Sequence, residues 1–205
     1  MKVAVFAKAP VAGEVKTRLH PILGPEGAAA LQAGLVRHAL ATAIESGIGA
    51  VELHCAPDAS HDFFQRCAER FHVALMPQRG TDLGDRMRGA FGAAHAQGST
   101  LIIIGSDCPA LRPEHLRAAR DALRDADAVI TPAEDGGYVL IGLAREVPGL
   151  FSRVDWGTGA VLRQTRERFA EAHVRCAELA ALWDIDRPDD YARLQAEGLL
   201  EEVLS

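Results

Sequence analysis

Residues 100–109 read TLIIIGSDCP. Leu101 to Ile104 form an unbroken apolar run, mostly β-branched, closed by Gly105 and Pro109. A strand with one wet face alternates polar and apolar residues, whereas a continuous run predicts a strand buried on both faces. Such a strand belongs at the centre of a parallel sheet, so its flanks must supply further strands and the helices that cover them.

They do so in both directions. Toward the C-terminus, residues 113–126 (PEHLRAARDALRDA) read as a helix and 127–133 (DAVITPA) as a strand. The strand at 136–143 (GGYVLIGL) follows only a turn later, which predicts one antiparallel neighbour. A helix over 158–172, a short apolar stretch at 181–186 (ALWDID) and a helix opened by Pro188 complete that side. Toward the N-terminus lies a helix over 82–98, with Asp82 as N-cap and Gly98 as stop. Before it come a strand at 72–77, a helix over 60–71 capped by Ser60, a strand at 50–56 and a helix over 25–47 closed by Gly47. The first strand is VAVFA at 3–7. Alternating β and α units predict an α/β fold: an open, mostly parallel sheet with helices on both faces and one antiparallel strand. Ligands of such sheets bind beyond the carboxyl ends of the strands.

The composition bounds the function. At 205 residues with 48% hydrophobic content, one domain over 1–205 is expected. A net charge of −6 argues against a nucleic-acid partner, which needs a basic face. No apolar run reaches the ~18 residues of a membrane span. The chain opens directly on a strand with no signal-peptide pattern, and its four cysteines form no CxxC pair, so a cytoplasmic protein with reduced thiols is expected. The cysteines and histidines lack zinc-site spacing.

Four segments carry chemistry. The loop AKAPVAGEVKTRLHP at 7–21 holds two of the three lysines in the chain, Lys8 and Lys16, with Arg18, Pro10 and Gly13. It lacks the second glycine of a GxxxxGK[ST] loop, and GPEGAA at 24–29 is no GxGxxG fingerprint. What remains is a flexible cationic loop after the first strand: a cradle for phosphate oxygens, or a solvated surface loop. Asp107, at the end of the central strand, suits a hard divalent cation better than a cap for a helix six residues away. In LWDIDRPDDY (182–191), Asp184 and Asp186 share one side of an extended segment, and Asp186 joins Asp107 as a metal ligand if that segment lies beside the central strand. Asp189 and Asp190 fit the first turn of the helix that follows. In PAEDGGYVLIGL, Gly136 and Gly137 read first as a hairpin with Asp135 as its turn acid, and second as an acceptor-side base. Cys108 has no activating histidine nearby in sequence and is rejected as a nucleophile.

Taken together and in order, FAKAPVAGEVKTRL, QRGTDLGDRM, IGSDCPALRPEHL, PAEDGGYVLIGL, DWGT and WDIDRPDDY resemble the nucleotide-diphospho-sugar transferases of the GT-A type. Within them the chain is most similar to a bacterial family of glycosyltransferase-like proteins (DUF2064), and its opening loop also resembles that of small nucleotidyltransferases such as the 2-phospholactate guanylyltransferases. The resemblance implies a three-layer αβα fold and a metal-dependent transferase using Mg²⁺ or Mn²⁺. Its partners would be a nucleoside triphosphate or nucleotide sugar and a small-molecule acceptor. It implies nucleotide binding by Lys8, Pro10, Gly13, Lys16, Arg18, Gln78, Gly80, Asp82 and Arg86, with metal on Asp107 and Asp186. Lys16, Arg18 and Asp135 would be catalytic, and Gly136, Gly137, Tyr138 and Trp156 would face the acceptor. The chain departs from the pattern in lacking the GxGxR core of the large pyrophosphorylases and in carrying one acid, not DxD, at Asp107. Glycosyl and nucleotidyl transfer both fit these residues. A non-catalytic nucleotide-binding protein that kept the fold is the alternative, disfavoured because both candidate metal carboxylates are present.

Overall fold

The computed structural model of the chain describes residues 1–204. Seven strands form one sheet: β1 (Lys2–Lys8), β2 (Ala50–Ala56), β3 (Ala74–Pro77), β4 (Leu101–Gly105), β5 (Ala128–Pro132), β6 (Tyr138–Leu143) and β7 (Cys176–Glu178). Their order is β3-β2-β1-β4-β6-β5-β7. Only β6 runs against its neighbours, pairing antiparallel with β4 and β5, as the short turn before it demands.

Helices α1 (His20–Ser46), α2 (Asp62–Phe71) and α4 (Pro113–Ala122) cover one face, and α3 (Leu83–Ala96) and α5 (Val161–Glu171) the other. The β4 run divides as its continuity predicts. Ile102 and Ile104 pack with Val36 and Leu40 of α1 and Leu116 of α4, while Leu101 and Ile103 pack with Met87 and Phe91 of α3. All four are 3% exposed or less. This is the three-layer α/β architecture expected from the sequence.

A third apolar cluster lies off the sheet. Leu19 of the opening loop, Leu31 and Leu35 of α1, Trp183 and Ile185, Leu194 of α6 (Pro188–Ala196) and Val203 of α7 (Leu200–Leu204) pack together. It pins the C-terminal segment against the loop after β1.

Several local expectations change. The first helix begins at His20 and breaks at Gly24, whose φ of 67° and ψ of 170° are not helical, so one turn precedes the break and the long helix follows it. The α2 N-cap is His61, whose Nδ1 accepts the Phe63 N–H; Ser60 instead donates to Asp58. Residues 181–186 do not form a full strand. Leu182 makes one parallel bridge to Ala133, and the edge strand is Cys176–Glu178, too short for a periodicity signal.

The close approach of α7 to α1 rests on Gly34, where an added Cβ would lie 2.4 Å from the Val203 carbonyl oxygen. Gly34→Ala is expected to cost about 1–3 kcal/mol by forcing the two helices apart. Gly92→Ala, inside α3 with nothing within 4 Å of the new Cβ, is expected to add up to about 1 kcal/mol. Urea denaturation of both variants gives the two signs directly.

Candidate active site

The carboxyl ends of β1 and β4, the start of β6 and the segment before α6 enclose a cavity of about 640 Å³. Its lining includes Lys8, Lys16, Arg18, Asp107, Asp135, Tyr138, Trp156, Asp184 and Asp186.

The opening loop reaches this cavity because Val15 and Leu19 are buried anchors on either side of Lys16. Between them Lys16 adopts a left-handed backbone, φ 48° and ψ 39°, a conformation that costs a non-glycine residue about 1 kcal/mol. The turn sends its side chain inward, where only 4% remains exposed. The ammonium lies 2.9 Å from Asp107 Oδ1 and donates to the Ile185 carbonyl at 2.6 Å. A buried ammonium must be paired, and here both partners are supplied by distant segments. Arg18 pairs with Asp186 at the cavity mouth, both side chains being about half exposed, and Lys8 donates to the Glu14 carbonyl within the loop.

The C-terminal segment is held beside β4. The Ile185 N–H donates to the Asp107 carbonyl at 2.9 Å, and Leu182 exchanges backbone hydrogen bonds with Pro132 and Glu134 at the end of β5. Asp190 accepts the N–H groups of Asp186 and Arg187, which fixes the turn into α6. The adjacency that the Asp107 and Asp186 pairing requires is therefore present. Behind Asp107, Ser106 donates to it, and the buried Gln32 of α1 donates to Ser106.

Carboxylates crowd this edge. Burial raises the Asp184 carboxyl to about 6, the charges of Asp135 and Asp107 push it the same way, and Lys16 partly offsets them. Asp135 accepts the Gly137 N–H at 2.8 Å, so it is the turn acid of the β5–β6 hairpin and also a cavity wall. Gly136, at φ 90°, belongs to the hairpin itself: an added Cβ would lie 2.4 Å from the Gly159 carbonyl oxygen. Tyr138 offers its ring to the cavity, but its hydroxyl is buried beside Thr165, and burial pushes its pKa up. Trp156 packs on Phe151 and over α3, where a Cβ at Gly84 would lie 2.7 Å from the indole nitrogen. The Cys108 thiol is raised to about 12 by burial, in keeping with its rejection as a nucleophile.

Other expected residues lie away from this cavity. Gln78 donates to the carbonyls of Ala7 and His54, tying β1 to β2, and with Arg86 it borders a smaller cavity beside β3. Asp82 caps α3 through the Asp85 N–H, and Gly80 makes the tight approach before that helix. Gly13 shapes the loop at φ 87°, and Pro10 lines a separate cavity. Of the segment 78–87, Leu83 is the residue that lines the site. The residue missed is Asp184. Its spacing from Asp186 was visible in sequence, but its burial beside two other carboxylates was not. Among the described residues, no three His, Cys, Asp or Glu side chains are gathered as a ready-made metal cage.

The chain matches, over residues 39–158, the model of a family described as uncharacterized proteins conserved in bacteria (DUF2064). The match spans more than half of the chain, which belongs to this family. No curated protein sequence matches it. Among solved structures, a Desulfovibrio desulfuricans G20 protein with a provisional description as a nucleotide-diphospho-sugar transferase is 27% identical, with a TM-score of 0.80 over 98% of this chain and 97% of that one. A 4-diphosphocytidyl-2C-methyl-D-erythritol synthase from Anaerococcus prevotii is 15% identical, with a TM-score of 0.64 over 95% of each chain. A Mycobacterium tuberculosis H37Rv protein solved in complex with manganese is 18% identical, with a TM-score of 0.54 over 94% of this chain and 97% of that one. The fold is thus that of the nucleotide-diphospho-sugar transferases and nucleotidyltransferases.

Asp184 gives the site a pH signature. Its carboxyl titrates near 6 in the fold against an ordinary 3.8, so between those values the folded chain holds a proton that the unfolded chain has lost. Wild-type stability gains from this group as pH falls through 6 and is penalised above it. Asp184→Asn should therefore exceed wild type by about 1–3 kcal/mol near pH 8, with the gap falling to roughly a third of that near pH 4.5 and closing only below the ordinary carboxyl value. Urea midpoints at the two pH values measure this; an equal gap at both would show that the carboxyl charge is not its cause.

Proposed function

We propose that the chain is a metal-assisted transferase that binds the phosphates of a nucleotide donor on Lys8, Lys16 and Arg18. It would pass part of that donor to an acceptor lying against Asp135, Gly137, Tyr138 and Trp156. The entire chain would act as one domain.

The observation that carries this reading is the double pairing of Lys16 with Asp107 and Arg18 with Asp186. Two of the three cations of the opening loop, Lys16 and Arg18, each face one of the two carboxylates suited to a divalent ion. A donor accompanied by such an ion brings both complementary charges, so the cations can exchange carboxylate oxygens for phosphate oxygens while the carboxylates remain neutralised. Mg²⁺ takes one or two carboxylates and completes its shell with substrate phosphates and water, which fits an edge of oxygen donors with no closed cage. The manganese-bound relative supports Mn²⁺ as a second occupant. When bound, such an ion neutralises charge on the phosphate leaving group.

Nucleotidyl transfer is the reading the loop favours. An acceptor oxygen attacks the α-phosphate of a nucleoside triphosphate, the α–β phosphoanhydride bond breaks, and pyrophosphate departs. Lys16 and Arg18 stabilise the negative charge that grows on the departing oxygens, and the inward Lys16 does so with little solvent competition. Asp135 orients the acceptor and takes its proton where the acceptor is a hydroxyl. Glycosyl transfer is the second reading, favoured by the description of the 27% identical relative. The same cations then hold a nucleoside diphosphate leaving group, and the acceptor hydroxyl attacks the sugar.

Calorimetric titration with nucleoside triphosphates and nucleotide sugars, with Mg²⁺, Mn²⁺ or chelator, tests the proposal. Binding should require the metal, Asp107→Ala should abolish that metal-dependent binding, and Lys16→Ala should weaken affinity at least tenfold, as loss of a charged hydrogen bond implies. Release of pyrophosphate on turnover identifies nucleotidyl transfer, and release of a nucleoside diphosphate identifies glycosyl transfer. Unchanged affinity in both Lys16→Ala and Arg18→Ala would end the phosphate-loop reading.

A further inference from the structure

A second cavity, of about 810 Å³, opens between α1 and α2 beside Pro10 of the opening loop. It shares no lining residue with the first. Its apolar part is made by Ala29, Ala30 and Ala33 of α1 with Phe63 and Cys67 of α2, and its polar part by Arg37, Arg66 and Arg70.

These guanidinium groups are, with Arg79, Arg86, Arg117, Arg153 and Arg187, the ones without an ion pair among the described residues, and these three line one cavity. Arg112, Arg166 and Arg193 each lie on a carboxylate, whereas Arg37, Arg66 and Arg70 have no carboxylate partner among the described residues. Arg70 lies over the Phe71 ring at 5.3 Å. Among the described residues Arg37 reaches only the Leu204 carbonyl, at the 3.5 Å limit of a hydrogen bond, and its buried Nε has no partner there. A buried guanidinium N–H left unpaired is costly, and an acceptor entering the cavity would satisfy it. The three groups also converge: each acts on the Cys67 thiol, opposing the burial that raises it. One carboxylate, Glu69, stands on the rim against them. His61 adds a donor, because its Nδ1 accepts the Phe63 N–H and its Nε2 is left to carry the proton.

We propose that this cavity binds a small organophosphate with an apolar body, the dianionic head held by Arg37, Arg66 and Arg70 and the body laid on the alanine floor. Forked guanidinium donors match phosphate oxygens, and three cations against one carboxylate favour a dianion over a carboxylate ligand. The inference stands apart from the nucleotide-donor reading, since it uses none of the same side chains.

Calorimetric titration of the full chain with phenyl phosphate tests it, with inorganic phosphate and benzoate as controls for head, charge and ring. Phenyl phosphate should bind more tightly than either control. Arg37→Ala should weaken it roughly tenfold, by loss of one charge-assisted hydrogen bond. Arg66→Ala, a change at an exposed position that leaves the core untouched, should weaken it in the same direction. Ala33→Leu should fill the floor and reduce binding of phenyl phosphate while sparing inorganic phosphate. Lys16→Ala, in the first cavity, should leave all of this unchanged. Absence of phenyl phosphate binding, or affinity no better than that of inorganic phosphate, would overturn the proposal. So would binding that is lost in Lys16→Ala and kept in Arg37→Ala and Arg66→Ala, since that places the ligand in the first cavity.

Discussion

The site depends on one buried ammonium. Lys16 joins the opening loop to the carboxyl end of β4 through Asp107 and to the C-terminal segment through the Ile185 carbonyl. These three stretches are far apart in sequence, and each is an irregular loop at the sheet edge. The apolar cluster of Leu19, Trp183 and Ile185 brings them near one another, but apolar packing is non-directional and does not by itself set an angle between loops. A charge with two short oxygen contacts does. The left-handed backbone at Lys16 follows from the same demand, because it turns the side chain under its own loop.

That ammonium also sets the electrostatics of its surroundings. Burial raises the Asp184 carboxyl, and the like charges of Asp135 and Asp107 push it the same way. Lys16 opposes this accumulation from inside and Arg18, on Asp186, from the mouth. The edge is thus an acidic cluster held in check by a basic loop, with the two signs facing each other across a volume large enough for a nucleotide-sized ligand. A substrate carrying both phosphate and a cation replaces the internal pairs without leaving either sign unbalanced, whereas a neutral ligand would gain nothing from them.

How much of this was legible in the chain follows from the range of the forces concerned. The run at 101–104 announced its own burial because a strand covered on both faces has no polar residue to spare, and from it the alternation of strands and helices could be read outward. The single reversed strand followed from the short turn at Gly136 and Gly137, a local property. Asp107 stood out because a strand end is itself a location. The edge strand Cys176–Glu178 was hidden because three residues show no period, and the cap of α2 because His61 competes with Ser60 by geometry alone. Gln78 and Asp82 sit in a segment that resembles a nucleotide wall, yet their hydrogen bonds go to the backbone of β1, β2 and α3. The cluster around Asp184 was illegible for a further reason: its members come from β4, the β5–β6 hairpin and the last loop, and only tertiary closure makes them neighbours.

The use of lysine in a chain of arginines has the same physical root. The chain has 22 cationic side chains, and the three lysines are Lys2, Lys8 and Lys16. Lys2 lies between Glu52 and Gln97 across the start of the sheet, Lys8 on a loop carbonyl, and Lys16 between a carboxylate and a carbonyl. Each ammonium meets its oxygens as a compact point charge at the sheet end or in the adjoining loop. A guanidinium is planar, with five donors in a fixed fork. In the place of Lys16 it would have two acceptors for five N–H groups in a pocket that leaves 4% of the side chain exposed, and the unpaired remainder would be buried. Arg18, with more than half its side chain in water, carries no such constraint. An arginine belongs where its unused donors can be hydrated, and a lysine where the charge must be small enough to enclose.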